Sequence, residues 1–267
     1  VNRRAFTLIE SLVAVAVIAA LVGILVPTLG AARDASRNAV CMSNTRQLSI
    51  ANAAFAAEHA GRSAPAAARI QSQNLHRWHG TRSRTDEPFD PQRGDLTRYL
   101  GSAASSEGVR ACPEFKSTLA QLRESGAGFE SGAGGYGYNA AFVGVQRVHS
   151  SPGVWSIETD ERGARRDRFR RPSEAIEFGD AAFAGDAGMI EYSFLEPSVW
   201  PDYPDYRPDP SMHFRHAGKT NVVWLDGHAS GHTLTSTNWS GLYTTDPESL
   251  GIGWFGPDDS NQLFDYE

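Results

Sequence analysis

Residues 3–30 read RRAFTLIESLVAVAVIAALVGILVPTLG. From Leu12 to Val26 every residue is apolar or Gly, and no later stretch resembles this run. As a helix, Phe6 to Leu29 is about 36 Å long. That is enough to cross a hydrocarbon core of about 30 Å. Arg3 and Arg4 precede the span, and such a positive flank stays cytoplasmic, which sends the C-terminal bulk across the membrane. Glu10 is the anomaly. A carboxylate inside an apolar span costs about 2–4 kcal/mol when deep and less near an end. Either Glu10 is solvated at the headgroup level, or it is a functional group that needs a partner.

The run Arg3-Arg4-Ala5-Phe6-Thr7-Leu8-Ile9-Glu10 resembles the cleavage and methylation motif of type IV prepilins and type II secretion pseudopilins. The resemblance implies cleavage between Ala5 and Phe6 by a prepilin peptidase and N-methylation of the new amine on Phe6. Glu10 then falls at the family's acidic position. There it would neutralise the amine of a neighbouring subunit during assembly, since a buried pair of opposite charges costs less than two isolated ones. Pro27 matches a helix-weakening proline common in the family, and proline inside a helix removes one hydrogen bond. Ala5 departs from the family's usual Gly before the cut, but it is also small. The competing reading is a secretory signal peptide cut near Leu29-Gly30-Ala31, for which a Glu ahead of the apolar core is unusual.

The rest of the composition is that of a globular protein. The 267 residues are 40% hydrophobic and 21% charged, which excludes wholesale disorder. A net charge of −6 gives no reason to expect nucleic-acid binding. Gly 26 and Pro 14 predict a loop-rich chain. Two cysteines cannot build a disulfide framework or a four-thiolate zinc site.

Residues 30–61 are rich in Ala and continue the helix. Val40, Leu48, Ala51 and Phe55 fall near a 3.6-residue period, and Gly61 is a stop signal. The domain plan is a leader at 1–5, a transmembrane or filament-core helix at 6–29, an amphipathic continuation at 30–61 and a head at 62–267. Residues 62–110 read as an irregular connection with a short helix near Asp95–Leu100. The arginine-rich run Arg162–Arg171 reads as a solvated loop rather than a binding patch. Strand candidates are Tyr136–Val145, Val154–Glu158, Glu174–Phe178, Met189–Phe194, Thr220–Leu225 and Ala229–Thr235. The expected fold class is α+β and pilin-like: a long N-terminal transmembrane spine helix packed on a C-terminal antiparallel β-sheet head.

The clearest later motif is HFRHAGKTNVVWLDGHASGHTL, residues 213–234. Asp226-Gly227 predicts a two-residue hairpin turn. His216, Asp226 and Gly227 resemble the H-X9-DG signature of a large bacterial group of prepilin-like proteins. An ordered series of weaker pieces agrees: Cys41-Met42-Ser43-Asn44, Ala111-Cys112-Pro113, Tyr136-Gly137-Tyr138-Asn139, and Pro172-Ser173-Glu174 through Gly179-Asp180. The favoured role for His216 is a hydrogen bond to Asp226 that pins the hairpin. His213, His216, His228 and His232 are also candidate ligands for zinc or another divalent metal. Calcium is a separate possibility, because type II major pseudopilins carry a calcium loop near the C-terminus. Asp246, Glu248, Asp258, Asp259 and Asp265 are the oxygen candidates, and a solvated acidic tail is the favoured reading of them. No cofactor is otherwise implied.

No nucleophile elbow, P-loop or dinucleotide fingerprint is present, so no enzyme is expected. Cys41 and Cys112 either pair, closing a loop of ~70 residues worth about 2–4 kcal/mol, or stay as two buried thiols; pairing is favoured. The resemblance implies a structural subunit of a type II secretion pseudopilus or type IV pilus-like fibre. Its partners would be the prepilin peptidase, other pilin-like subunits, an inner-membrane assembly platform and membrane lipid. It would be a single-pass protein of the cytoplasmic (inner) membrane, with its head periplasmic. The alternative is a non-polymerising, membrane-anchored envelope protein whose head binds a ligand.

Overall fold

The computed structural model describes residues 8–101, 104–105, 108–109, 111–126, 130–257 and 259–267. Ala5, Phe6 and Asp258 lie outside the described residues. Helix α1 runs unbroken from Leu8 to Glu58, about 77 Å at 1.5 Å per residue. Pro27 lies inside it and has no N–H to give the carbonyl one turn back. Beside it, the Thr28 hydroxyl donates to the Leu25 carbonyl at 2.8 Å. The helix ends where Ala60 and Gly61 turn left-handed (φ 53° and 76°). The Gly61 N–H closes the last turn on the Ala56 carbonyl at 2.8 Å.

Among the described residues two shorter α-helices follow, α2 (Thr97–Leu100) and α3 (Lys116–Glu124). The head's main strands are β1 (Tyr136–Asn139), β2 (Gln146–Ser151), β3 (Val154–Thr159), β4 (Ile176–Asp180), β5 (Phe194–Leu195), β6 (Lys219–Trp224) and β7 (Ala229–Thr233). Strands β2 and β3 form a separate antiparallel hairpin. The central sheet has the order β5-β1-β4-β6-β7. All its pairs are antiparallel except β5 with β1. The head is thus the expected antiparallel sheet with one parallel pair at its edge. A parallel neighbour needs a long crossover, and the chain from Asn139 to Phe194 supplies one.

Strand β4 is buried along its whole length. Its register sets Tyr136 opposite Asp180 and Tyr138 opposite Phe178. The Tyr-Gly-Tyr-Asn strand needs its glycine, because a Cβ on Gly137 would lie 2.6 Å from the Phe194 carbonyl oxygen. Trp78, Tyr138 and Phe178 meet at the centre, with the Trp78 indole 5.3 Å from Phe178 and 6.3 Å from Tyr138. Burying each side chain of that size contributes about 1.5–3 kcal/mol.

One contiguous core takes in residues from Cys41 to Tyr266. Residues 62–100 are therefore less peripheral than an irregular connection suggests: Ala64, Trp78, Phe89 and Leu96 are buried. The hairpin after β6 also differs from expectation. The Gly227 N–H donates to the Trp224 carbonyl, and the Trp224 N–H to the His228 carbonyl. The loop is thus three residues, Leu225 to Gly227, with Gly227 at φ 90°, the position where a three-residue hairpin places a glycine.

Candidate functional site

The two halves of α1 have opposite environments. Every residue from 8 to 37 is exposed, and the apolar membrane-length window has none of its residues buried against the protein. This helix is long and apolar enough to cross a membrane. Leu8, Ile9, Leu12, Val15, Ile24 and Val26 each expose 62% or more of their surface. None of the described residues of the head covers them, so lipid or another chain is what such a surface calls for. Glu10 lies in the first described turn and is exposed.

From Cys41 onward the helix docks. Cys41, Asn44, Thr45, Leu48, Ser49, Ala51, Asn52, Phe55 and Ala56 are buried, the spacing of one helix face. Val40 was expected on this face and is 45% exposed; Cys41 takes its place. The docked face is unusually polar. Asn44 donates to the Tyr136 hydroxyl at 3.1 Å and Asn52 to the Tyr138 hydroxyl at 3.0 Å. Burial raises both phenols, with the nearby Asp180 and Glu177 adding to it. They stay neutral, able to donate and accept at once.

Glu177 on β4 is fully buried. It accepts from Ser49, from Asn52 at 2.8 Å and from the Arg166 guanidinium. Burial pushes its carboxyl up, and Arg166 opposes that push. Arg166 comes from the run read as solvated. It also donates to the Leu225 carbonyl at 2.5 Å, and Arg168 donates to the Arg147 carbonyl at 2.7 Å. The run is therefore partly stitched into the head rather than solvated. Arg166 and Glu177 sit 11 residues apart in sequence, and no motif marks the pair.

At the end of the docked face nearest the exposed half of α1, Cys41 and Cys112 are joined in a disulfide with their Cα atoms 5.0 Å apart. Asp180 and His216 close around it. His216 Nε2 lies 3.5 Å from Cys112 Sγ and 3.3 Å from Asp180 Oδ2. Asp180 Oδ1 lies 3.4 Å from Cys41 Sγ.

This corrects the expected His216–Asp226 bond. The two residues flank β6 at opposite ends, and the six residues of that strand hold them roughly 20 Å apart at 3.3 Å per residue. Asp226 instead accepts from the His228 backbone N–H at 3.0 Å and meets the His228 ring at 2.7 Å. His228 and His232 both lie against Trp224, at 5.6 and 5.7 Å, while His232 Nε2 is 2.8 Å from the Ser230 hydroxyl. His213 packs at 5.1 Å from Phe115, and burial pushes it well below the ordinary histidine range. Among the described residues, His216 alone of the four belongs to a group with metal-holding geometry. Of the oxygen candidates, Asp246 accepts from the Glu248 N–H and Asp265 from the Glu267 N–H. Neither they nor Glu248 and Asp259 form such a group among the described residues.

A second polar knot lies deeper in the head, again without a sequence signal. Arg77 grips Glu130 through Nε and Nη2 at 2.7–3.0 Å, with both side chains buried. Burial alone would raise Glu130, but His79 and Arg77 outweigh it and hold the carboxyl at about 2.

No curated protein and no solved structure matches the chain. Residues 1–26 do match the family described as the prokaryotic N-terminal methylation motif. The chain thus carries a prepilin-like methylation motif, which implies processing by a prepilin peptidase, ahead of a pilin-like helix and sheet.

Proposed function

We propose that the chain is a structural subunit of a pilus-like fibre, either a type II secretion pseudopilus or a type IV pilus-like filament. The observation that carries this reading is the divided helix. Its first thirty described residues are exposed and largely apolar, and its last third is locked to the head. Such a helix stores in lipid as a single-pass anchor and buries the same surface against neighbouring helices in a fibre. Residues 1–5 are the leader, removed between Ala5 and Phe6; residues 6–29 are the membrane and filament-core segment. With Arg3 and Arg4 cytoplasmic, the head lies on the periplasmic side. Glu10 sets axial register by pairing with the methylated Phe6 amine of the next subunit, and Pro27 loosens the helix so that neighbours pack. Prepilin peptidase, other pilin-like subunits and an inner-membrane platform are the partners.

One cavity of the head is small. It encloses about 190 Å³ and is bounded by Ala66, Ile70, Tyr192, Phe194, Glu196 and Trp200. Small-molecule sites run to about 300–1,000 Å³, so a drug-sized ligand does not fit there, while a second, more open cavity of about 500 Å³ beside Arg82, Asp86, Arg123 and Ser131 does fall in that range.

Two measurements test the reading. N-terminal sequencing and intact mass of the membrane-extracted protein should give a chain beginning at N-methylated Phe6, and the unprocessed form in cells lacking the peptidase. A chain beginning near Ala31 would instead mean a signal peptide and a soluble head. Glu10→Val should be processed normally yet abolish incorporation into sheared fibres, by at least about tenfold if the pair contributes about 1.4 kcal/mol or more to docking. Undiminished incorporation would remove Glu10 from assembly.

A further inference from the structure

The geometry points to a zinc site at the corner where the spine helix meets the head, formed by Cys41, Cys112, Asp180 and His216 when the two cysteines are reduced. Disulfide and zinc are then alternative clasps of the same corner. The four side chains come from four places: α1, the loop before α3, the end of β4 and the segment before β6. All four are buried, and one ligand atom from each lies within 4.8 Å of every other. Tetrahedral zinc, with Zn–S about 2.3 Å and Zn–N about 2.0 Å, puts neighbouring ligand atoms roughly 3.3–3.8 Å apart. Two edges already have that spacing whichever Asp180 oxygen serves: Cys112 Sγ to His216 Nε2 at 3.5 Å, together with either Cys41 Sγ to Asp180 Oδ1 at 3.4 Å or His216 Nε2 to Asp180 Oδ2 at 3.3 Å. Reduction frees the two sulfurs to part by side-chain rotation.

The donor set selects the ion. Two thiolates and an imidazole suit zinc. Calcium needs six to eight oxygens, and Asp180 is the one carboxylate present. The surroundings fit a loaded site. Asp180 Oδ2 accepts the Asn221 N–H at 2.8 Å and the Tyr136 hydroxyl lies 3.2 Å from Cys41 Sγ, the kind of outer partner that orients a ligand. Charge also balances. Two thiolates, one carboxylate and Zn²⁺ leave a single negative charge, and the buried Arg215 guanidinium has Nε 3.9 Å from Asp180 Oδ1. Arg215 Nε and Nη1 have no hydrogen-bond partner, so this cation is held in the core with most of its donors uncommitted.

The exchange between the two clasps balances as follows. Oxidation takes two electrons from the two zinc thiolates, forms the Cys41–Cys112 bond and releases Zn²⁺. A disulfide oxidant accepts those electrons with two protons and becomes a dithiol. In the reverse direction, a phosphine and water yield the phosphine oxide and two thiols, whose protons pass to solvent when zinc binds.

The test uses the full chain in detergent micelles, oxidised or reduced with a phosphine under argon, then loaded with Zn²⁺ and desalted. The reduced protein should retain one zinc per chain and the oxidised protein none. Co²⁺ in place of zinc should give the intense visible bands of a tetrahedral thiolate site. Cys112→Ser and His216→Ala should each weaken zinc binding by more than ~100-fold, beyond the ~10–100-fold that loss of an outer partner costs. His228→Ala should leave it unchanged. If a ligand variant fails to fold, the oxidised-against-reduced comparison of the unaltered chain still decides. The proposal is overturned if the reduced chain retains no zinc, if Cys112→Ser or His216→Ala retains it with unaltered affinity, or if reduction unfolds the head with zinc present.

Discussion

Replacing Arg77 by Met should cost about 3–5 kcal/mol of folding stability at pH 8, the typical loss when one partner of a buried ion pair is removed. Methionine keeps much of the apolar bulk between the Phe89 and Phe194 rings that flank the guanidinium at 4.9 and 5.2 Å. What is lost is the fork on Glu130. Ser193 still donates to Glu130 at 2.7 Å and His79 Nε2 stays 3.7 Å away, but burial pushes that imidazole below its ordinary range, so at pH 8 neither replaces the guanidinium beside a buried carboxylate. The pH dependence identifies the cause. In the unaltered protein Glu130 is held at about 2 against an ordinary 4.5. Its contribution is therefore complete above pH 4.5 and is lost as pH falls from there towards 2, because the unfolded chain takes up the proton first. Without Arg77 the carboxyl should rise from that value, so part of the stabilisation gained above pH 4.5 is lost and Arg77→Met should be closer to the unaltered protein at pH 4 than at pH 8. Urea unfolding at the two pH values measures this. An equal deficit at both would mean that Arg77 acts through packing alone.

Arg166→Met should cost about 3 kcal/mol, at the low end for a buried pair because Arg166 is partly exposed. The damage should be local first. Glu177 keeps its bonds from Ser49 and Asn52 on α1, so an uncompensated charge at β4 strains the contact between helix and sheet. Amide exchange over residues 41–56 should accelerate more than exchange in β1, β4 and β6, as expected when one cooperative unit opens before the rest. Adding Glu177→Gln to Arg166→Met should recover most of the loss, because replacing both partners removes the stranded charge. If the double variant is no better than the single one, Arg166 serves the Leu225 carbonyl and not Glu177.

The parts of this fold legible in the sequence are those written in local patterns. The uninterrupted apolar run, the alanine-rich continuation and Gly61 together placed α1 to within a few residues of Leu8–Glu58. The strand candidates around Tyr136, Val154, Ile176, Val222 and Ala229 all fall on observed strands. Met189–Phe194 does not survive as one strand. Its first part pairs with Phe183–Gly185, and β5 begins only at Phe194.

The site was legible in its residue types and not in its partners. The motif marks His216 but ties it to Asp226, its neighbour in sequence. The residues it meets are Asp180 and Cys112, the latter 104 positions away. The same limit hid Arg77–Glu130 and Arg166–Glu177, whose members come from segments that look like ordinary polar loop and strand. Long-range charge pairing leaves no periodicity to read.

The place of Cys41 on α1 has a mechanical consequence. It is the first buried residue met when passing from the exposed half of the helix to the docked half. Tension applied along the anchor would peel the helix away from the head starting at that end, breaking contacts one turn at a time. Such unzipping needs far less force than shearing all of them together. The covalent tie to Cys112 stands at the tip of the tear, so peeling cannot begin. A pull on the anchor must then be resisted by the tie and the whole docked face in parallel.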